Sequence, residues 1–257
     1  MWAQITHCHV SFNTMIKSEP VTKLMSAHTG QSVSFLGEGN AIPVTPIALF
    51  VFKRPEHTAR TLAALALNKR LAQYPLYIFC DGARNAGDVD AVQATRKLVR
   101  EFCHSNKTVV EQLVNQGLAR SVINGVTRLI NQYGRIIVLE DDLVVSVNFL
   151  DYMSDALDYF ADVPEVMQVS GHAFDVPRCE EDDTALLLPF VSSWGWATWA
   201  RAWAQFDGNG TAWEQLLYNK KMRERFDLHK VYPYTDMLIR QMHGEIDSWA
   251  IRWNWSV

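Results

Sequence analysis

The run Arg135-Ile-Ile-Val-Leu-Glu140-Asp141-Asp142-Leu143 decides how the rest of this chain is read. Four consecutive apolar residues, three of them Ile or Val, predict a strand buried on both faces, the state of a central strand in a parallel sheet. Three carboxylates follow directly. Adjacent carboxylates repel, and solvent, a raised pKa or a cation must offset that repulsion. In open α/β sheets ligands gather beyond the carboxyl ends of the strands, so this end of the strand is a candidate oxygen site for a hard divalent ion. A solvated acidic turn is the competing reading.

Strand and helix patterns alternate on either side of that run. Ile47 to Phe52 is a second buried-type strand, and Pro55 after it suits the first turn of a helix reaching Asn68. Leu76 to Cys80 is a third, closed by Asp81-Gly82, and Asp88 is placed to cap the next helix. Thr108 to Val114 is a fourth, ending at Asn115-Gln116-Gly117. Leu118, Val122, Val126, Leu129, Ile130 and Tyr133 keep one helical face, with Gly134 at the stop. After the acidic run, Asn148 is placed to cap a helix whose apolar side is Phe149, Tyr152, Met153, Ala156, Leu157 and Phe160. Strands alternating with helices predict βαβ units and a mostly parallel, Rossmann-like sheet over 47–160. Neither GxGxxG nor GxxxxGK[ST] occurs, which argues against dinucleotide oxidoreductases and P-loop NTPases.

The flanking regions differ in texture. Residues 1–45 have no sustained period and predict a loosely ordered leader; His7-Cys8-His9 lies within it. From 161 onward come an acidic loop, Glu180 to Asp183, the strand-like Leu186 to Val191, and a concentration of tryptophan. Eight of the nine tryptophans lie at or after Trp194. Trp196, Trp199 and Trp203 fall at i, i+3, i+7, the spacing of a buried helical stripe, whereas Trp194 sits at a loop end.

Bulk properties exclude some classes. With 257 residues there is ample material for a core, and a net charge of −4 without a basic stripe gives nothing for a phosphate backbone to bind. Four dispersed cysteines form neither a zinc pattern nor a disulfide framework, so a reducing compartment is expected. No apolar run is long enough to span a bilayer, and no signal-peptide core opens the chain; the expectation is a cytoplasmic protein without a membrane span.

The ordered set of a strand ending at Arg54, a strand ending at Asp81, Asn115 to Arg120 opening a helix, Ile136 to Ser146 with Asn148-Phe149-Leu150, and Ser192 to Trp199 resembles the GT-A glycosyltransferases. Within them it is similar to the N-acetylglucosaminyltransferase I-like proteins and their bacterial relatives, over roughly 46–255. The resemblance implies one GT-A domain over 46–257, with a nucleotide-sugar half at 47–160 and an acceptor half at 161–257. It implies transfer from a nucleotide-sugar, a UDP-sugar in the first instance, to a hydroxyl on a glycan, with Mn²⁺ or Mg²⁺ as cofactor. In that pattern Glu140-Asp141-Asp142 is the EDD form of the DxD motif. Asp142 is the metal ligand, Asp141 and Glu140 lie near the ribose and donor sugar, Asp81 meets the uracil, and Arg54 is a basic nucleotide contact. Asp247 matches the base of an inverting transfer, with Glu245 as rival, and Trp194 and Trp249 are the acceptor-side aromatics. The sequence departs from the pattern in carrying Asp247-Ser248 where the relatives have two aspartates. The relatives also usually continue beyond the point that corresponds to Val257, which leaves room for a fragment. Two other functions stay open: a carbohydrate-binding protein without turnover, and a sugar-phosphate nucleotidyltransferase, although the latter's glycine-rich first loop is here Lys53 to Thr58.

Overall fold

The computed structural model describes residues 3–6, 44–172 and 186–257. Eight strands make one sheet: β1 Ala3–Thr6, β2 Ile47–Val51, β3 Leu76–Cys80, β4 Lys107–Glu111, β5 Arg135–Glu140, β6 Val166–Ser170, β7 Leu186–Leu188 and β8 Trp196–Trp199. Their order across the sheet is β4-β3-β2-β5-β8-β6-β1-β7. The pairings β4/β3, β3/β2 and β2/β5 are parallel, β8 lies antiparallel between β5 and β6, and β1 is parallel to β6 and antiparallel to β7. Six of the eight strands therefore point one way, as the α/β pattern predicts. Part of the segment read as a leader belongs to this sheet, since β1 pairs with both β6 and β7. His7-Cys8-His9, Cys179 and the acidic loop at 180–183 lie outside the described residues.

Nine helices are described: α1 Pro55–Ala66, α2 Val89–Glu101, α3 Leu118–Tyr133, α4 Phe149–Tyr159, α5 Ala200–Trp203, α6 Gln215–Tyr218, α7 Lys220–Phe226, α8 Tyr234–Met242 and α9 Trp249–Ser256. Side chains alternate across a strand, so each central strand feeds two cores. Ile47, Leu49, Ile137 and Leu139 pack with Leu62 and Leu65 of α1, Val99 of α2 and Met153 of α4. Ala48, Phe50, Ile136 and Val138 pack on the other face with Val122, Val126 and Leu129 of α3 and Trp253 of α9. Among the described residues no helix is long and apolar enough to cross a membrane.

Several expectations change in detail. Trp196, Trp199 and Trp203 are all buried, but the first two lie in β8, not on a helix. Residues three apart share a face on a helix and take opposite faces on a strand; accordingly Trp199 joins the α1 side and Trp196 the α3 side. The slot between β5 and β6 decides this, because β8 satisfies backbone groups of both neighbours. Pro55 does open α1, and Gly134 ends α3 in the left-handed region at φ 78°. Asp88 and Asn148 sit at helix starts without capping through their side chains. The strand expected to reach Val114 stops at Glu111, and 112–117 forms a loop folded back on Gly82.

Gly82 is required by that loop. A Cβ there would lie 2.4 Å from the Val114 carbonyl carbon and 2.7 Å from the Asn115 nitrogen, both backbone atoms. Gly82→Ala should therefore destabilise the protein by about 1–3 kcal/mol, the cost of overpacking against atoms that cannot turn aside. Thermal denaturation of the variant beside the wild type checks this, and an unchanged midpoint would contradict it.

Candidate functional site

The turns after β2, β3, β4 and β5 meet at the carboxyl edge of the parallel strands, where open α/β sheets hold ligands. Arg54, just past β2, reaches across to the end of β5. Its Nη2 donates to Asp141 Oδ1, its Nε to Asp141 Oδ2 at 3.3 Å, and its Nη1 to Asp142 Oδ2 at 3.1 Å. The two aspartates differ sharply. Asp141 is 3% exposed, receives the Phe52 backbone N–H at 3.4 Å, and its own carbonyl accepts from the Thr61 hydroxyl at 2.9 Å. Asp142 presents a side chain 44% exposed. Burial pushes the Asp141 carboxyl up, with Arg54 opposing, while Arg54 lies above the usual arginine value because the two aspartates outweigh its own burial.

Glu140 closes β5 beside them. Burial first, then the charge on Asp142, pushes its carboxyl up to about 7, against a hydrogen bond from Trp249. The sequence placed Trp249 on the acceptor surface; the structure places it in the core. Trp249 is 3% exposed and stacks on Trp196 at 5.0 Å and 22°, so it has no open face to offer a sugar. Trp194 is 53% exposed at the rim, edge-on to His172 at 4.5 Å.

Asp81 also takes a different place from the one expected. Its Oδ1 accepts from the backbone N–H groups of Gly82 and Gln116, both at 2.8 Å. Its Oδ2 accepts from Asn115 Nδ2 at 2.9 Å and the Gly117 N–H at 3.0 Å. These donors use the four lone-pair positions of a carboxylate. Asp81 thus fastens the 112–117 loop to the end of β3 instead of reaching toward a base.

That loop in turn meets the last candidate. Asp247 Oδ2 lies 3.5 Å from where a Cβ on Gly117 would be. Asp247 Oδ1 accepts from Arg252 Nη2 at 3.1 Å, and Arg252 is anchored by its Nε on the Ser248 carbonyl, also 3.1 Å. The helix cap that Asp247 could have supplied comes from Ser248, whose hydroxyl accepts the Ile251 N–H at 3.3 Å. Glu245, the rival, pairs with Arg240 at 3.4 Å.

Four contributors escaped the sequence reading. Thr61 steadies Asp141 from inside α1, Arg252 holds Asp247, and Lys53 with Arg84 grips Asp88 at 2.5 and 3.1 Å beside the Phe52 ring. Only Lys53, adjacent to Arg54, carried any local signal.

Among the described residues no group of three His, Cys, Asp or Glu side chains is arranged to hold a metal by itself. Asp142 nevertheless offers an outward carboxylate, which suits an ion bound by one or two carboxylates and completed by substrate phosphates.

No family model and no curated protein matches the chain. Among solved structures it is similar to a mannosyltransferase from Pyrobaculum calidifontis in complex with GDP-Man and Mn²⁺, at 14% identity and TM-score 0.40, covering 66% of this chain and 50% of that one. A 4-diphosphocytidyl-2C-methyl-D-erythritol synthase from Anaerococcus prevotii matches at 12% identity and TM-score 0.38, covering 71% and 80%. The bifunctional glycosyltransferase WbbM matches at 9% and 0.28, covering 66% and 34%. The chain thus spans half the length of the mannosyltransferase. Overlap of this quality leaves function to be argued from the residues.

Glu140 makes stability depend on pH. The folded state keeps its proton from the ordinary value of 4.5 up to about 7, so it binds more protons than the unfolded chain in that window. Stability then falls as pH rises through it. Glu140→Gln, measured with a chelator present, should match the wild type near pH 4.5 and exceed it by about 3 kcal/mol near pH 8. Parallel melting curves across the range would contradict this.

Proposed function

We propose that this chain is a GT-A-type glycosyltransferase that moves a sugar from a nucleoside-diphosphate sugar to a hydroxyl on a glycan. The arrangement at Arg54, Asp141 and Asp142 carries the reading: a buried carboxylate orients a guanidinium, which leans on a second carboxylate left open to the surface. A planar fork of donors beside an outward carboxylate matches a diphosphate on one side and a divalent cation on the other. Mn²⁺ or Mg²⁺ on Asp142 would offset the charge that builds on the departing diphosphate.

The protein's own groups account for the remaining needs. Arg54 binds and orients the diphosphate. Glu140, with its pKa raised to about 7, is only about half ionised at neutral pH, which reduces the negative charge beside it and eases the approach of an anionic donor. Asp247 stands by the 112–117 loop with Oδ1 held by Arg252, and its Oδ2 is the atom proposed to take the proton. As the acceptor oxygen bonds to the anomeric carbon, the bond from that carbon to the diphosphate breaks and the hydroxyl proton passes to Oδ2. Attack opposite the leaving group inverts the anomeric centre. Trp194, exposed at the rim, offers an aromatic surface for the acceptor. Asp81 acts through the loop it fastens.

Thermal denaturation with UDP- and GDP-sugars, with and without Mn²⁺, tests the reading. A ligand at about 100 times its Kd stabilises by about 2.7 kcal/mol. A metal-dependent rise with one donor is expected, lost in Asp142→Ala. A rise with a nucleoside triphosphate alone would indicate a nucleotidyltransferase, and no rise with any nucleotide from folded protein would overturn the transferase. Arg54→Met should weaken nucleotide binding by about 1.5–3 kcal/mol, the loss of hydrogen bonds to a charged group, and calorimetry of UDP or GDP binding measures it.

A further inference from the structure

A cleft of about 200 Å³ opens on the α3 face of the sheet, lined by Phe79, Val110, Gln112, Gln116 and one stripe of α3. That stripe is Ser121, Asn124, Gly125 and Arg128, at i, i+3, i+4 and i+7, so a polar line is turned toward β3 and β4. β4 is the edge strand, and Val110 and Gln112 are only partly buried. Gly125 lets helix and sheet close up here: a Cβ would sit 2.7 Å from the Phe50 ring and 3.2 Å from the Phe79 ring.

The lining has a definite chemistry. Gln112, Gln116 and Asn124 contribute amides, Ser121 a hydroxyl and Arg128 a guanidinium. The Ser121 Oγ is buried and has no hydrogen-bond partner among the described residues, a cost a bound polar group would remove. Two acidic groups belong to the lining. The Asp81 carboxylate keeps its charge but spends its lone pairs on four neutral donors, and burial pushes the Cys80 thiol up to about 12, leaving it neutral. The cleft is therefore rich in donors, carries an outward positive charge at Arg128 to balance the donor-bound Asp81, and has an apolar floor.

Size limits the occupant. The volume exceeds the ~150 Å³ that accepts a benzene-sized guest. It falls short of the ~300 Å³ at which pockets for drug-sized ligands begin, so a single ring fits and a nucleotide does not. A pyranose has an apolar face for Phe79 and Val110 and a rim of hydroxyls for the amides and Ser121. Arg128 calls for an anionic substituent, and its planar fork matches a carboxylate. We infer that the α3 cleft is a second binding site, for a single-ring sugar bearing a carboxylate. It shares Asp81 and the 112–117 loop with the carboxyl edge, but its lining contains none of Arg54, Asp141 and Asp142, the residues of the proposed donor contact.

Nuclear magnetic resonance titration of the ¹⁵N-labelled full chain tests it, with sodium glucuronate, glucose and sodium acetate as probes. Glucuronate should give saturable shifts at Gln112, Gln116 and Asn124 and bind roughly tenfold tighter than glucose, as one charge-assisted contact allows. Arg128→Gln, a change on an exposed helix position, should abolish that preference and leave the fold's spectrum intact. No saturable shift with glucuronate, equal shifts with acetate, or unchanged glucuronate affinity in the variant would each overturn the inference. Nucleotide-sugar added to the same sample reads Arg54 and Asp142 separately, so failure of the transferase reading is distinguished from failure here.

Discussion

Two aspartates stand side by side at the end of a buried strand, and the one shut away from water, Asp141, needs a cation against it to offset the burial of its charge. Arg54 is that cation, and it comes from a different strand. A buried carboxylate stripped of its partner costs about 3–5 kcal/mol, which is enough to make the contact a structural requirement of the carboxyl edge. The contact ties the ends of β2 and β5 together and fixes the direction in which the guanidinium presents its remaining donors. Thr61 and the Phe52 backbone N–H complete the seat of Asp141, so the group that aims Arg54 is itself held from three sides.

Asp81 performs the corresponding task one strand away. By taking four donors from Gly82 and the 112–117 loop, it fastens the six-residue crossover from β4 to α3 as a wall at the end of β3. Gly117 at the foot of that wall lies against Asp247, which arrives from the far end of the chain and is steadied by Arg252. The two exposed carboxylates of this edge, Asp142 and Asp247, are thus each paired with an arginine. Their neighbours Asp141 and Asp81 spend their charge on the scaffold.

The parallel half was legible because strands buried on both faces leave unbroken apolar runs, and their order with the helices admits few topologies. Ile47 to Val51, Leu76 to Cys80 and Arg135 to Glu140 were read within a residue or so for that reason. The tryptophan-rich stretch was not, since Trp196, Trp199 and Trp203 satisfy a helical period over a distance too short to test it, and only the vacancy between β5 and β6 makes a strand of the first two. The acidic run announced the edge itself. The division of labour within it was invisible, because Asp141 and Asp142 differ by one position along the chain and by everything in their surroundings. Asp81 was misjudged for the same reason: its four donors come largely from residues more than thirty positions away.

Trp249 shows how the second half of the chain bears on the first. Its ring stacks on Trp196 of β8 while it hydrogen-bonds to Glu140 at the end of β5. Trp196 in turn leans on Trp203, and Trp203 on Trp253, so one chain of aromatic contacts runs from the carboxyl edge into the core beneath α3. An indole with both faces covered is a poor surface for a sugar and a good strut. The helix it opens, α9, is the one that carries Arg252 and follows directly on Asp247. Packing of Trp249 therefore anchors the start of the helix that follows Asp247, and the same side chain lowers the Glu140 pKa through its hydrogen bond. A change in the aromatic core would be felt at both carboxylates together, although neither lies within it.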